Sequence, residues 1–315
     1  VYRLTMGAHV QTGICGAASV AAYRTNRIRR HEFTRPDKED DRVRQIEACR
    51  AQTGPVLLAH PDHPVIAQAV ADTVSAPPVE QVTAADGVRH DIWVMDDPDR
   101  VAAVAAAYDS FPAVYIADGH HRSAAAARVA QARPDDAAAQ GFLAVSFPIP
   151  AMKILDYNRV VADLGGHSPA GFLAAVGRAF HVEPVRGQAR PPRAGLFGLY
   201  LAGRWYRLTP RRAAPADPVA RLDVSLLSDR LLAPVLGIVD LRKDRRIDFV
   251  GGRRGLEELE ARVDSGEMAA AFALFPTAME DLVAVAESGQ VMPPKSTWFE
   301  PKLADGLVSL TLGDA

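Results

Sequence analysis

The chain has 315 residues, 48% hydrophobic and 23% charged, which is typical of a globular protein of about two domains. Its 36 Lys and Arg residues against 38 Asp and Glu leave a formal net charge of −2, which excludes the broad basic surface of a non-specific nucleic-acid binder. No apolar run reaches the roughly 20 residues of a membrane span, and Cys15 and Cys49 lack CxxC spacing, so we expect a cytoplasmic protein without disulfides.

The first half of the chain alternates predicted strands with predicted helices. Val1–Met6 has the pattern of the middle of a strand, which predicts that the chain starts inside a larger protein. Runs on both sides of the polar turn Arg24–Arg27 predict a hairpin, and acidic residues after Pro36 predict a helix over about residues 36–52. The further predicted elements are strands at 56–59, 113–117 and 142–147, helices at 64–74, 98–107 and 121–132, and an extended pair at 79–82 and 91–95.

The second half contains a segment of different character. Residues 164–215 predict a small inserted α/β subdomain with one helix and a hairpin that turns at Ala202–Gly203. A helix at 219–236, strands at 247–250 and 270–275, and helices at 256–263 and 279–288 follow. This alternation indicates an α+β (mixed α/β) fold with a mixed sheet and flanking helices. We predict a first core part over 1–163, the inserted subdomain over 164–215 and a second core part over 216–315.

The strongest local signal lies between the strand at 113–117 and the helix that follows it. Asp118 and Gly119 form a turn that leads into a helix N-terminus, where free backbone N–H groups and the helix dipole attract anions. His120, His121 and Arg122 add donors from the same turn, so we predict a phosphate site. The alternative is structural: Asp118 caps the helix and the histidines are polar surface residues.

A second cluster of charges runs from Arg29 to Lys38, where a predicted strand leads into a helix that begins with proline. Alternation places Glu32 on the same face as Arg30, and His31 with Phe33 on the other face. Glu32 is therefore a candidate general base or ligand of metal-bound water. The alternative is a solvated, charged edge strand.

Two further loops carry weaker signals for phosphate binding. The loop at 250–255 combines glycines with Arg253, and the loop at 292–302 contains Lys295, Ser296 and Thr297. Neither loop has the spacing of a Walker P-loop or a Rossmann fingerprint. Because functional residues collect where strands end and loops converge, we expect these four sites to form one phosphate-handling cleft.

A metal-dependent hydrolase is an alternative for the same residues. Carboxylates and imidazoles hold zinc or manganese, but the sequence contains neither HExxH nor HxH. The residues considered for such a site are His31, Glu32, Asp118, His120 and His121.

The motifs together resemble the family called domain of unknown function 1015 along essentially the whole chain. The family's N-terminal region before the first strand is expected to be missing here. The runs that carry the resemblance are His31–Glu39, Gln52–Pro55, Ala117–Arg122, Leu155–Arg159, Arg221–Ser225 and Met292–Thr297.

That family is similar to the ParB and sulfiredoxin-like superfamily, which includes CTPases and free serine kinases. The resemblance implies a ParB/sulfiredoxin-like core in which the Asp-Gly-His-His-Arg turn binds phosphate. It also implies a kinase that phosphorylates free L-serine with pyrophosphate, or a nucleotide, in serine biosynthesis. Phosphoryl transfer of this kind usually requires Mg²⁺.

We therefore predict small-molecule substrates and no nucleic-acid or membrane partner. Glu32 and His120 are the predicted catalytic residues, with Glu32 as the base. The predicted phosphate-binding residues are Thr34, Arg35, Lys38, Asp118, Gly119, His121, Arg122, Ser123, Arg253, Lys295, Ser296 and Thr297. Two alternatives stay open, a non-catalytic nucleotide- or phosphate-binding regulatory protein and a metal-dependent phosphoester hydrolase. The sequence assigns neither metal ligands nor an oligomeric state.

Overall fold

A computed structural model describes residues 1–313, which divide into two compact units. The first unit comprises Val1–Lys153 and the C-terminal segment from Phe299, and the second comprises Ile154–Trp298. The predicted boundaries after residues 163 and 215 do not coincide with these units. Residues 164–215 form no separate body, because their strands belong to the main sheet of the second unit. Helices together with mixed and antiparallel sheets confirm the α+β class.

The first unit alternates strands and helices in much the predicted order. Its strands up to residue 153 are β1 (Tyr2–Met6), β2 (His9–Ser19), β3 (Ile28–Arg29), β4 (Ala51–Gln52), β5 (Val56–His60), β6 (Glu80–Thr83), β7 (Arg89–Ile92), β8 (Val114–Asp118) and β9 (Gly141–Pro148). Its helices are α1 (Val20–Arg24), α2 (Pro36–Cys49), α3 (Pro64–Thr73), α4 (Pro98–Ser110) and α5 (His120–Ala132).

Apolar strands form the centre of the sheet in the first unit. The strand order is β3-β8-β5-β9-β2-β1-β7-β6, in which β3–β8 and β5–β9 are parallel and the other neighbours antiparallel. Every residue of β5 is buried, as its continuous apolar run predicts for a central strand. Leu58, Ile116 and Phe142 share one core cluster. The end of β8 that carries Asp118 thus projects from a rigid, buried layer.

Helices α2 and α5 run side by side in the same direction. Arg128 NH2 donates to Asp40 Oδ1 at 2.8 Å, and towards the C-terminal ends of the helices Arg133, which follows α5, donates through NH2 to Glu47 Oε2 at 2.5 Å. Apolar side chains, among them Ile46, pack between the helices. Because the helices are parallel, the N-terminus of α2 lies beside that of α5.

The second unit contains a six-stranded antiparallel sheet of order β12-β14-β13-β16-β11-β15 within the described residues. Its strands are β10 (Ile154–Leu155), β11 (Tyr157–Val161), β12 (Phe180–Val185), β13 (Phe197–Leu201), β14 (Arg204–Pro210), β15 (Ile247–Gly251) and β16 (Ala270–Ala273). Strand β17 (Trp298–Phe299) begins at the last residue of this unit and ends at the first residue of the C-terminal segment. The helices of the unit are α6 (Pro169–Val176), α7 (Asp223–Leu227), α8 (Ala233–Leu236), α9 (Glu257–Asp264) and α10 (Met279–Glu287). Ala202 and Gly203 both have positive φ, so the predicted two-residue hairpin turn is confirmed.

Two predicted elements differ from the structure. The helix predicted over 219–236 is divided into α7, a π-helical turn at Ser228–Leu232 and α8, because Pro234 has no N–H to continue the regular hydrogen-bond ladder. The strand predicted through Phe33 ends at Arg29, since β3 pairs with β8 only at Ile28 and Arg29. The alternation predicted for residues 30–33 is therefore wrong: His31 is buried and Phe33 is 63% exposed.

The C-terminal segment returns across the first unit. Its strand β18 (Leu310–Thr311) pairs with β4, and Gly306 N–H donates to Thr53 O at 2.8 Å. Closer to its start, Ala304 N–H donates to the Tyr2 hydroxyl at 3.3 Å. These contacts hold residues 299–312 against the unit that contains the Asp118–Gly119 turn. Along residues 1–313 no helix combines the length and apolar character that a bilayer crossing needs.

Candidate functional site

The Asp118–Gly119 turn joins β8 directly to α5. Gly119 has a φ of 99°, a left-handed conformation that side chains disfavour. A Cβ atom at Gly119 would lie 2.9 Å from Arg122 Nε, so the glycine also leaves room for that guanidinium. Gly119 O accepts a hydrogen bond from Ser123 N–H at 3.0 Å, the first backbone hydrogen bond of α5. The predicted turn between a buried strand and a helix N-terminus is confirmed.

The His120 imidazole lies between His31 and Glu32. Its Nε2 accepts a hydrogen bond from the His31 backbone N–H at 3.4 Å, and its Nδ1 lies 3.6 Å from Glu32 Oε2. The His31 ring packs edge-on against it, with 4.5 Å between centroids. Because Nε2 accepts, a neutral His120 carries its proton on Nδ1, which faces the carboxylate. A histidine that is 2% exposed thus orients a glutamate whose side chain is 48% exposed.

The three histidines near this turn are neutral at pH 7. Burial lowers the pKa of His31 to about 4. Burial, and then the neighbouring His31 and His121, hold the pKa of His120 well below its usual value, and burial also lowers the pKa of His121. Arg122 is therefore the charged member of residues 120–122. The structural alternative of exposed histidines fails, because His120 is buried.

His121 connects the turn to the N-terminus of α2. Its Nε2 accepts a hydrogen bond from Arg35 N–H at 3.0 Å. The Arg35 guanidinium binds the Asp37 carboxylate through two hydrogen bonds of 3.1 and 2.8 Å. Two predicted phosphate-binding residues are thus in contact with each other, and one of them already holds a carboxylate.

The other predicted residues of this segment, Thr34 and Lys38, lie just before the start of α2 and in its first turn. The Thr34 hydroxyl donates to the Glu39 carboxylate, and Lys38 is exposed. The structure places Thr34, Arg35 and Lys38 at the start of α2, where Arg35 contacts His121, and their assignment to phosphate binding stays a prediction.

Arg122 lies between two glycines. A Cβ atom at Gly54 would lie 3.3 Å from Arg122 Cδ and NH1 and 2.7 Å from Asp305 Oδ1, so Gly54 leaves space for both side chains, as Gly119 does on the other side. Arg122 NH1 lies 3.7 Å from Asp305 Oδ1 in the C-terminal segment. That distance is too long for a hydrogen bond and leaves the guanidinium loosely paired.

Lys302 is a site residue that the sequence did not reveal. Its Nζ donates to Asp118 Oδ2 at 3.1 Å. Burial opposes ionisation of Asp118, but Lys302 and then Arg122 hold the pKa of its carboxyl below the usual value. The sequence marked the loop at 292–302 as a candidate, but nothing in it pairs Lys302 with a residue 184 positions away.

One predicted phosphate ligand faces the protein interior instead. Ser123 is fully buried, and its hydroxyl donates to His120 O at 3.0 Å. That hydroxyl stabilises the first turn of α5 and is not available to a ligand, which corrects its predicted role.

Four predicted residues, Arg253, Lys295, Ser296 and Thr297, belong to the second unit. Lys295 O accepts a hydrogen bond at 2.8 Å from Arg159, a fully buried arginine, and Lys295 has a φ of 60°. The Ser296 hydroxyl donates to Pro293 O at 2.6 Å. The assignment of these four residues to a phosphate site stays a prediction.

The metal-hydrolase alternative needs a dense set of ligands. Among residues 1–313 no group of three or more His, Cys, Asp or Glu side chains is arranged to hold an ion. Mg²⁺ in a phosphoryl-transfer site needs no such set, because one or two carboxylates and the phosphates of the substrate suffice. Glu32 and Asp118 are carboxylates of that kind near the turn.

A known protein family matches the part of the chain that contains this turn. The sequence profile described as "Protein of unknown function (DUF1015)" matches residues 1–225. The chain belongs to this family. The match contains Glu32, the 118–122 turn and Gly54, whereas Lys295–Thr297 and Lys302 lie beyond it. No curated protein matches this DUF1015 family member.

Several solved structures are similar to this DUF1015 chain at low sequence identity. A free serine kinase in complex with AMP is 13% identical, with a TM-score of 0.44 over 92% of this chain and 90% of the other. A conserved hypothetical protein from Pyrococcus furiosus is 14% identical, with a TM-score of 0.42 over 94% and 95%. SbnI with a C-terminal truncation, from Staphylococcus aureus, is 11% identical, with a TM-score of 0.39 over 92% and 85%.

Proposed function

We propose that this chain is a phosphotransferase that phosphorylates the hydroxyl of a small metabolite. Free L-serine is the first candidate acceptor, and pyrophosphate or a nucleotide is the donor. The observation that carries the proposal is the position of the half-exposed Glu32 carboxylate, 3.6 Å from His120 Nδ1. His120 belongs to the same helix start as Arg122. Phosphoryl transfer needs a base that orients the acceptor and fixed positive charge at the donor. Glu32 supplies the first and Arg122 the second.

In the proposed step, the serine hydroxyl oxygen forms a bond to the terminal phosphorus of the donor. The bond from that phosphorus to the bridging oxygen breaks, and its electron pair leaves with phosphate or the shortened nucleotide. The hydroxyl proton passes to Glu32 and from there to solvent. His120 is a positioning residue in this step, because its Nδ1–H faces the carboxylate and its Nε2 is held by the His31 backbone.

The donor end of the site combines backbone and side-chain groups. First-turn N–H groups of a helix such as α5 favour bound oxyanions, and Arg122 adds a permanent charge. Mg²⁺ would be held by donor oxygens together with Glu32 or Asp118, and it would neutralise charge on the phosphates. The lowered pKa of Asp118 keeps this carboxylate ionised at neutral pH.

The test is phosphorus NMR of the protein with Mg²⁺, L-serine and, in separate samples, pyrophosphate, ADP, ATP or CTP. A new phosphoserine signal with one donor supports the proposal and names that donor. No turnover with any donor, together with thermal stabilisation by one phosphate compound that stays intact for hours, would favour the non-catalytic binding protein instead.

A variant pair separates the base from general charge effects. Glu32→Gln should lower turnover by about 10²–10⁴-fold, because the amide cannot accept the hydroxyl proton. Glu80→Gln, which changes an exposed glutamate on β6, is the matched control and should leave the rate unchanged. Equal rates for parent and Glu32→Gln would sink the assignment of the base.

A further inference from the structure

A small cavity lies between the 118–122 turn and the C-terminal segment of the same unit. Its volume is about 100 Å³, and its lining includes Asp118, Arg122 and Lys302 with the apolar side chains of Leu57, Phe299 and Pro301. A cavity needs only about 10–15 Å³ of such volume to hold one water molecule, so this one has room for a tetrahedral oxyanion such as phosphate.

The charges around the cavity are arranged in two pairs of different strength. Lys302 and Asp118 are joined by a hydrogen bond of 3.1 Å, which fixes the ammonium group at the cavity wall. Arg122 and Asp305 are 3.7 Å apart, and the Asp305 side chain is 63% exposed. The Arg122 side chain is 29% exposed, and a pair that has one exposed partner and no hydrogen bond contributes little stability, so Asp305 can leave Arg122 at low cost.

We propose that this cavity binds a phosphate group between Arg122 and Lys302, and that the phosphate displaces Asp305 from the Arg122 guanidinium. The inference rests on the proposed function, in which the group is the terminal phosphate of the donor or the inorganic phosphate that leaves. Lys302 and Asp305 then belong to the site through the C-terminal segment, which the strand pair β4–β18 and the Gly306 hydrogen bond keep in place.

Binding of inorganic phosphate and of pyrophosphate, measured by calorimetry without serine, tests the cavity independently of catalysis. Lys302→Met should weaken phosphate binding by about 10–100-fold, the effect of losing one charge-assisted hydrogen bond. Asp305→Asn should tighten it by about two- to fivefold, because the competing carboxylate is removed. Lys302→Arg should bind within a few-fold of the parent, which separates loss of charge from loss of fold.

Matched controls exist in the second unit, where Lys243 and Asp240 form an exposed pair 3.7 Å apart. Lys243→Met and Asp240→Asn should leave phosphate affinity unchanged. Equal affinity of Lys302→Met and the parent, or no gain in Asp305→Asn over Asp240→Asn, overturns the inference.

The failure of this inference and that of the proposed function look different. If phosphate binding depends on Lys302 and Asp305 but no phosphoserine forms, the cavity site is supported and the kinase function is rejected. If phosphoserine forms but phosphate affinity does not change when Lys302 or Asp305 is substituted, the cavity site is rejected and the kinase function is supported.

Discussion

His120 Nδ1 lies 3.6 Å from Glu32 Oε2 while His120 Nε2 accepts the His31 backbone N–H. Because the backbone contact occupies Nε2, the proton of this buried imidazole is on Nδ1, where it faces the half-exposed carboxylate. The arrangement assigns each ring nitrogen a separate task, which substitutions can test one at a time.

The two nitrogens of His120 should respond differently to amide replacement. In His120→Asn the amide nitrogen can replace Nδ1 beside Glu32, and in His120→Gln the longer side chain reaches the Nε2 position instead. If Glu32 is the base, kcat should fall about tenfold in His120→Gln, because the Nδ1–H that faces and orients the carboxylate is lost, and only a few-fold in His120→Asn. Steady-state kinetics with the donor found by NMR measures this difference, and equal loss in both variants contradicts it.

Gly119 should be required for ligand binding because it leaves space for Arg122, and not only because it adopts a left-handed backbone conformation. Gly119→Ala would place a methyl group 2.9 Å from Arg122 Nε at a φ of 99°, so it should lose about 1–2 kcal/mol of stability and displace the guanidinium. Gly87→Ala is the control, because Gly87 has a φ of 81° and nothing within 4 Å of an added Cβ. Chemical denaturation should show similar losses in both, whereas phosphate affinity should fall only in Gly119→Ala. Unchanged affinity there would refute the role of Arg122.

Buried histidines should make the fold sensitive to acid. Burial lowers the pKa of His31 and of His60 from 6.5 to about 4, so the unfolded chain takes up these protons first as the pH falls. The folded state therefore keeps its full free energy of unfolding above about pH 6.5. As the pH falls from 6.5 to 4, each histidine lowers the free energy of unfolding by about 3 kcal/mol. Urea unfolding at pH 7 and pH 4.5 measures the loss.

Substitution identifies the share of His60, which lies outside the proposed site. His60→Gln removes its titration, so the difference in unfolding free energy between the two pH values should shrink relative to the parent. The exposed His181 on β12 provides the control variant His181→Gln, for which the difference should stay that of the parent. An unchanged pH dependence in His60→Gln would show that its protonation does not drive acid unfolding.

Asp118 and Lys302 should be energetically coupled. Both side chains are partly exposed, at 41% and 47%, so we expect a coupling free energy of about 0.5–1 kcal/mol. The measurement is a double-mutant cycle of unfolding free energies with Asp118→Asn, Lys302→Met and the double variant. A coupling of zero would mean that the contact with the C-terminal segment does not stabilise the turn.

Much of the local structure is predictable from neighbouring residues. The start of α2 at Pro36, the glycine turn before α5 and the hairpin turn at Ala202–Gly203 follow from side-chain and backbone preferences within a few positions. The extent of β3 was not predictable, because a strand ends where its hydrogen-bonded pairing ends and not where alternation stops. The misplacement of His31 on a face with Phe33 came from that difference.

The sequence by itself determined which residue types stand at the helix ends, the membership of the chain in its family and the balance of charge. The tertiary structure decided which of these groups carry charge and which meet. Burial makes His120 neutral. The C-terminal segment folds back on the first unit, which brings Lys302 to Asp118 across 184 positions and Asp305 to Arg122. Desolvation and long-range contacts depend on how the whole unit packs, so no local pattern of residues contains them.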